Sequence, residues 1–244
     1  MGFSMCCEDD LYEVFLKFKK GQPIEIEDKP LIERMLHYYK PEILPTKEQL
    51  EILKIWDPEL RANIIKSGHV YPQKEAPAHT KYKIILSSHK NDFPFVNVKG
   101  DVIENNFSAT FFHREKRDKA KQHIKALLEH CKYCVIRDRY LSNNQDTFKK
   151  FATELLPKRE LRIYLSIGNN PKDPREQSLI TDLKQICEDW TITKNTTQYQ
   201  KTHDRYILIE DTIEIILTSG IDYLYDENKD FSYLVRKKPK NSRT

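Results

Sequence analysis

Hydrophobic spacing divides the chain at about residue 76. Before it the period is helical: Leu11, Val14, Phe15 and Phe18 mark one apolar stripe, which stops at Gly21-Gln22-Pro23. A second helix is predicted from near Pro30 to before Pro41. Thr46-Lys47-Glu48-Gln49 has the form of a capping box, in which hydroxyl and carboxamide each satisfy an orphan amide, and opens a third helix running to about Trp56. Asp57-Pro58 caps a fourth, which Gly68 closes. The last two also read as a helix-turn-helix, although such hairpins are mostly packing units.

Beyond residue 76 the period shifts toward two. Tyr82 to Leu86 and Phe107 to Phe112 read as strands, with Pro94 and Gly100 punctuating the stretch between. A long helix is predicted from about His113 to His130, and then strand and helix alternate. Strands are expected at Tyr133 to Arg137, Leu161 to Ile167, Trp190 to Thr193, around His203 and at Ile213 to Leu217; helices at about Gln145 to Leu156 and Arg175 to Glu188. This grammar predicts an α/β fold with a mixed, largely parallel sheet flanked by helices, preceded by a helical N-terminal region. The expected organisation is a helical region 1–75, an α/β domain 76–236 and a solvated basic tail 237–244. No internal repeat is visible.

Composition narrows the class. With 39% hydrophobic residues and only six glycines in 244, the chain can bury a sizeable core. Its net charge of +4 is mildly basic, a weak pointer toward anionic partners. No apolar run approaches the roughly 20 residues of a membrane span, and a secretory pattern is missing from the start, so a cytoplasmic protein is expected. Five cysteines, an odd number, suit a reducing compartment rather than a disulfide framework. Met1 to Cys7 also reads as an acylation signal, with Gly2 as acceptor and Cys6 and Cys7 as palmitoylation sites, save that Cys6 stands where a hydroxyl is expected; a frayed start is the plainer reading.

The candidate chemistry lies in Lys201-Thr202-His203-Asp204-Arg205-Tyr206-Ile207-Leu208-Ile209-Glu210, followed by Thr218-Ser219-Gly220-Ile221-Asp222. Residues two apart on a strand face the same way, so His203 and Arg205 share one face, and Glu210 leans to the other unless the strand ends or bulges. An imidazole beside a guanidinium, next to a small-residue turn, suits a phosphate site.

This stretch resembles the phospholipase D superfamily motif of His-x-Lys, four residues, then Asp, followed by a small-residue turn. The resemblance implies His203 as nucleophile forming a phosphohistidine, Arg205 as phosphate clamp, and Glu210 as orienting acid, or Asp211 if a bulge re-aims the strand; it implies no metal and no cofactor. Arg205 replaces a point charge with a bidentate donor, and Glu210 is one methylene longer than Asp. A wider likeness over about residues 132–236 joins Cys134 to Leu141, Leu161 to Leu165, His203 to Ile207 and Ser219 to Tyr223. It is similar to the C-terminal phospholipase D-like domain of MIT-domain proteins, with Arg139 in place of Pro and Ser219 in place of Arg. Asp138, Tyr140, Ser219 and Asp222 are then expected to line the substrate cleft, at the carboxyl edge of the sheet where open α/β folds bind ligands.

One such motif is present. His79-Thr80-Lys81 and His123-Ile124-Lys125 share the tripeptide but lack the acid at the right spacing, and His123 falls in predicted helix. Catalysis would therefore use a homodimer bringing two copies of His203 together. The expected function is a metal-independent phosphodiesterase acting on nucleic acid. The rival is a noncatalytic module binding an anionic ligand, membrane headgroups or a partner protein, and a third reading is an effector of a prokaryotic defence system. Cys131 and Cys134 form a lone C-x-x-C without a second pair at zinc spacing. The basic segment His113 to Lys121 is a candidate phosphate contact with interleaved acids, and Tyr199, Tyr206 and Tyr223 are candidate stacking platforms.

Overall fold

The computed structural model describes residues 5–38, 43–103, 108–138, 140–141, 143–166, 174–194 and 205–238. The chain divides into two compact units, residues 1–107 and 108–244.

In the first unit, strand β1 (Cys6–Cys7) leads into helices α1 (Asp9–Lys19), α2 (Lys29–Tyr38), α3 (Lys47–Ile52), α4 (Pro58–Lys66) and α5 (Ala76–His79), then strands β2 (Ile85–Ser87) and β3 (Phe95–Asn97). The capping box forms as the sequence predicts: the Gln49 amide donates to Thr46 Oγ1 at 3.2 Å, and the Thr46 amide donates to Gln49 Oε1 at 3.1 Å. The buried Gln49 carboxamide also donates to the Cys7 carbonyl at 2.9 Å, tying α3 to β1. Asp57 caps α4 by accepting from the Leu60 amide at 3.0 Å. The third helix ends at Ile52, short of Trp56, because Lys54 adopts a positive φ of 52°.

Two expectations about this unit change. Cys6 and Cys7 are neither a frayed start nor accessible acyl acceptors: both are buried, and burial pushes the Cys6 thiol up to about 12. Strand β2, expected in the C-terminal domain, and β3, in a stretch where no strand was expected, pair with β1 in a parallel sheet of order β1-β2-β3. Residues 76–103 therefore build the first unit. The strand expected over Tyr82 to Leu86 starts only at Ile85, since Lys83 has a φ of 59°.

The second unit comprises β4 (Ser108–Phe111), α6 (Asp118–Leu128), β5 (Tyr133–Arg137), α7 (Gln145–Leu155), β6 (Leu161–Ser166), α8 (Pro174–Ile186), β7 (Trp190–Lys194), β8 (Arg205–Ile209), β9 (Ile213–Leu217) and β10 (Phe231–Lys237). Its seven strands run in the order β4-β10-β9-β8-β5-β6-β7. The fold is α/β with a mixed sheet, but the sheet is parallel only across β5-β6-β7; the four remaining pairings are antiparallel. Helical crossovers force the parallel part. A three-residue turn, Glu210 to Thr212, with Glu210 and Asp211 at φ 48° and 53°, folds β8 straight back into β9 and makes that pair antiparallel.

Helix α6 starts at Asp118 rather than near His113. Arg114 has a φ of 69°, and the fully buried Arg117 folds its guanidinium back onto the carbonyls of Phe112, Glu115 and Lys229. Arg117 is thus a core residue and not a phosphate contact. Strand β10 lies where the sequence reading placed the approach to a solvated tail. Arg236 pairs with Glu214, and Lys238 reaches Asp211 Oδ1 at 2.7 Å; residues 239–244 lie outside the described residues.

Candidate functional site

Strand register builds the site. Arg137 on β5 faces Tyr206 on β8, so one step further Asp138 stands opposite Arg205. On its other side Arg205 faces Leu217, the last residue of β9. The chain leaving β9 then turns back through Thr218-Ser219-Gly220, anchored by the Thr218 hydroxyl donating to the Ser232 carbonyl at 3.0 Å. Three separated segments thereby meet at the carboxyl ends of β5 and β9 and the start of β8.

Asp138 is 3% exposed and sits at the centre. Its Oδ1 accepts the Tyr140 amide at 2.9 Å, its Oδ2 accepts the Ile221 amide at 3.4 Å, and Arg205 Nε lies 3.8 Å from Oδ1. The guanidinium of Arg205 also lies over the Tyr140 ring, 5.2 Å from its centroid, and its side chain keeps 22% exposure. Burial raises the Asp138 carboxyl above its ordinary range; the two amides and Arg205 oppose that shift, and the neighbouring charge of Asp222 adds to it.

Gly220 permits the convergence. At a φ of 113°, a Cβ there would fall 2.6 Å from Asp222 Oδ1, 3.2 Å from Asp138 Oδ2 and 3.4 Å from Arg205 Nε. Any larger residue would displace both carboxylates or the guanidinium.

The structure therefore brings together Arg205, Asp138, Tyr140 and Asp222 from the residues expected on sequence grounds. Ser219 is half-buried on the same turn and has no hydrogen-bond partner among the described residues. His203, the expected nucleophile, lies outside the described residues, as do Asp204 and Arg139. Glu210 is not brought to the site: it is five residues beyond Arg205, about 16 Å along the strand at about 3.3 Å per residue. There its Oε1 accepts the Lys132 amide at 2.6 Å. Asp211 is at the same far end, accepting from Tyr133 and Lys238. The physical reason is the tight β8–β9 turn, which spends both acids on reversing the chain. Gly220 was noted in the sequence as part of a turn, and its crowding by two carboxylates appears only in three dimensions.

The remaining candidates are structural. His123 is buried in α6 with its Nδ1 2.8 Å from the Tyr233 hydroxyl, and His79 stacks on Tyr71 at 4.1 Å. Cys131 and Cys134 are both buried. The proximity of the two thiols holds Cys131 below its ordinary value and, with burial, pushes Cys134 well above it. Among the described residues no group of three or more His, Cys, Asp or Glu is arranged to hold a metal, and no helix is long and apolar enough to cross a membrane. Tyr206 lies under the Arg137 guanidinium at 5.9 Å, and Tyr223 under the Lys229 ammonium at 4.5 Å; Tyr199 lies outside the described residues.

No family model matches the chain, and no curated protein does. Among solved structures it is similar to a phospholipase D family member, Nuc from Salmonella typhimurium, at 5% identity and a TM-score of 0.31, over 54% of this chain and 84% of that one. NucT from Helicobacter pylori gives 11% identity and a TM-score of 0.33, over 55% of this chain and 87% of that one. Phosphatidylserine synthase from Haemophilus influenzae gives 10% identity and a TM-score of 0.29, over 86% of this chain and 48% of that one. Likenesses this distant leave activity to be argued from the chain's own residues.

Proposed function

We propose that the second unit is a phospholipase D-like phosphodiesterase that acts on nucleic acid as a homodimer. The observation that carries this reading is the convergence of Arg205, Asp138, Asp222 and Gly220 at one edge of the sheet, two positions downstream of His203. In the proposed reaction the His203 imidazole attacks phosphorus as the bond to the leaving alkoxide breaks. The His203 of a second copy protonates that alkoxide, and water then cleaves the phosphorus–nitrogen bond. Arg205, oriented by Asp138 and by the face of Tyr140, donates to the non-bridging oxygens.

The test is hydrolysis of a labelled oligonucleotide and of bis(4-nitrophenyl) phosphate with and without chelator, comparing the parent with His203→Ala. Cleavage that survives chelator and disappears in the variant supports the reading. A second reading, a noncatalytic anion-binding module, is favoured by the position of Glu210 far from Arg205. It is supported instead if both proteins bind the oligonucleotide and neither turns it over.

A further inference from the structure

Two lysines from two different helices converge on one tyrosine ring beside the Arg205 cluster. The Lys121 ammonium of α6 is 4.8 Å from the centroid of the Tyr225 ring, and the Lys150 ammonium of α7 is 5.0 Å from it, so the two positive charges are no more than about 10 Å apart, within mutual reach at ordinary ionic strength. Neighbouring lysines are neutralised locally: Lys149 pairs with Asp146 and Asp182, and Lys229 with Asp226. Lys121 and Lys150 have no ion-pair partner among the described residues. The nearby acid is Glu154 of α7, which acts with burial to raise the Tyr225 phenol, at the hydroxyl end of the ring. The ring's quadrupole offsets part of the repulsion, and an added anion would offset the rest.

The place of this pair in the fold makes it relevant. Helix α6 leaves the end of β4 and α7 leaves the end of β5, so the first turns of both rise from the edge of the sheet that carries Asp138. Tyr225 belongs to the same segment as Gly220 and Asp222, and its amide donates to the Asp222 carbonyl at 3.0 Å. By chain length alone its Cα is within about 11 Å of that of Asp222. A cation inside the cluster is therefore followed, three residues further along the chain from Asp222, by an aromatic platform that carries two cations without ion-pair partners among the described residues.

We infer that Lys121, Lys150 and Tyr225 form a second phosphate subsite, which holds a neighbouring phosphate of a single-stranded nucleic acid whose reacting phosphate lies at Arg205. Successive cations interleaved with Tyr140 and Tyr225 match a flexible polyanion with planar bases. A bilayer fits less well, because among the described residues of this unit only Phe112 and Tyr140 are large exposed hydrophobics, leaving no apolar face to enter a membrane. The inference rests on Arg205 being the primary clamp, so the test separates the two.

The parent, R205A and the double variant K121Q/K150Q of the full chain are titrated with a labelled thymidine dinucleotide and a labelled thymidine dodecamer by fluorescence anisotropy over a range of salt. Circular dichroism confirms folding, and K121M/K150M, which keeps the aliphatic stems, replaces a misfolded variant. The double variant should bind the dodecamer about tenfold more weakly, with a log–log salt slope shallower by about 0.7, for the one phosphate no longer neutralised. R205A should weaken the dinucleotide and the dodecamer alike. Unchanged dodecamer affinity and slope in the double variant overturn the second subsite, whereas unchanged binding in R205A overturns the primary one. Vesicles of phosphatidylserine and phosphatidylcholine are the third ligand, and lysine-dependent binding to them in preference to the dodecamer also overturns the inference.

Discussion

Arg205 and Asp138 face each other across the β5–β8 pair with Nε 3.8 Å from Oδ1, a separation at which the carboxylate aims the guanidinium without closing a bidentate pair. In the proposed reaction the outer edge of the guanidinium is the part that meets phosphate. Replacing Arg205 with Lys should keep the charge and lose both the fork geometry and the contact with Tyr140. Phosphate-dependent binding to a short oligonucleotide is expected to fall about tenfold in Arg205→Lys and about a hundredfold in Arg205→Ala, measured by anisotropy.

Asp138 gives the site a pH dependence of known sign. Its carboxyl titrates above its ordinary value of 3.8, first through burial. An acid raised on folding contributes stability that is fully present below its unfolded value and is lost as pH climbs through its folded value. Unfolding free energy should therefore decline from pH 4 upward by a component that Asp138→Asn removes, seen by comparing urea midpoints of the two proteins across that window.

Gly220→Ala should be costly for its size. The new methyl would fall 2.6 Å from Asp222 Oδ1 on a backbone with a φ of 113°, a conformation strained for any residue with a Cβ. A loss of about 1–3 kcal/mol is expected in chemical unfolding. Oligonucleotide affinity should fall with it, because the carboxylates and the guanidinium can no longer meet.

Glu210→Ala tests the far end of the strand. Removing the acceptor of the Lys132 amide should cost about 1 kcal/mol of stability, while affinity for a short oligonucleotide stays within twofold, since the turn lies at the opposite end of β8.

The buried pair of His123 and Tyr233 joins α6 to β10. Tyr233→Phe removes one partner and should lower stability by about 1–3 kcal/mol in urea unfolding, with oligonucleotide affinity retained.

Local pattern was enough for much of the second unit. Strands β5 and β9 fall where alternation placed them, and the Thr46–Gln49 capping box and the Asp57 cap form as their side-chain chemistry requires. Single residues moved other boundaries: positive φ at Lys54, Lys83 and Arg114 shortened three elements, and nothing in apolar spacing signals those angles. Strand β10 escaped notice because its exposed end is basic, yet Phe231, Tyr233 and Val235 alternate inward. Four of the anticipated site residues meet because one register step joins Asp138 to Arg205. Glu210 fails to join them because linear spacing does not reveal which end of a strand turns. Tyr225 carries no signal in the sequence, because the lysines that meet its ring stand 104 and 75 positions away.

The short strand Cys6–Cys7 has its hydrogen-bonded neighbour at Ile85 and Leu86. That pairing joins positions 79 apart in the chain, a non-local contact whose closure costs loop entropy before it is rewarded, so a disturbance near Ile85 is expected to expose Cys6 and Cys7.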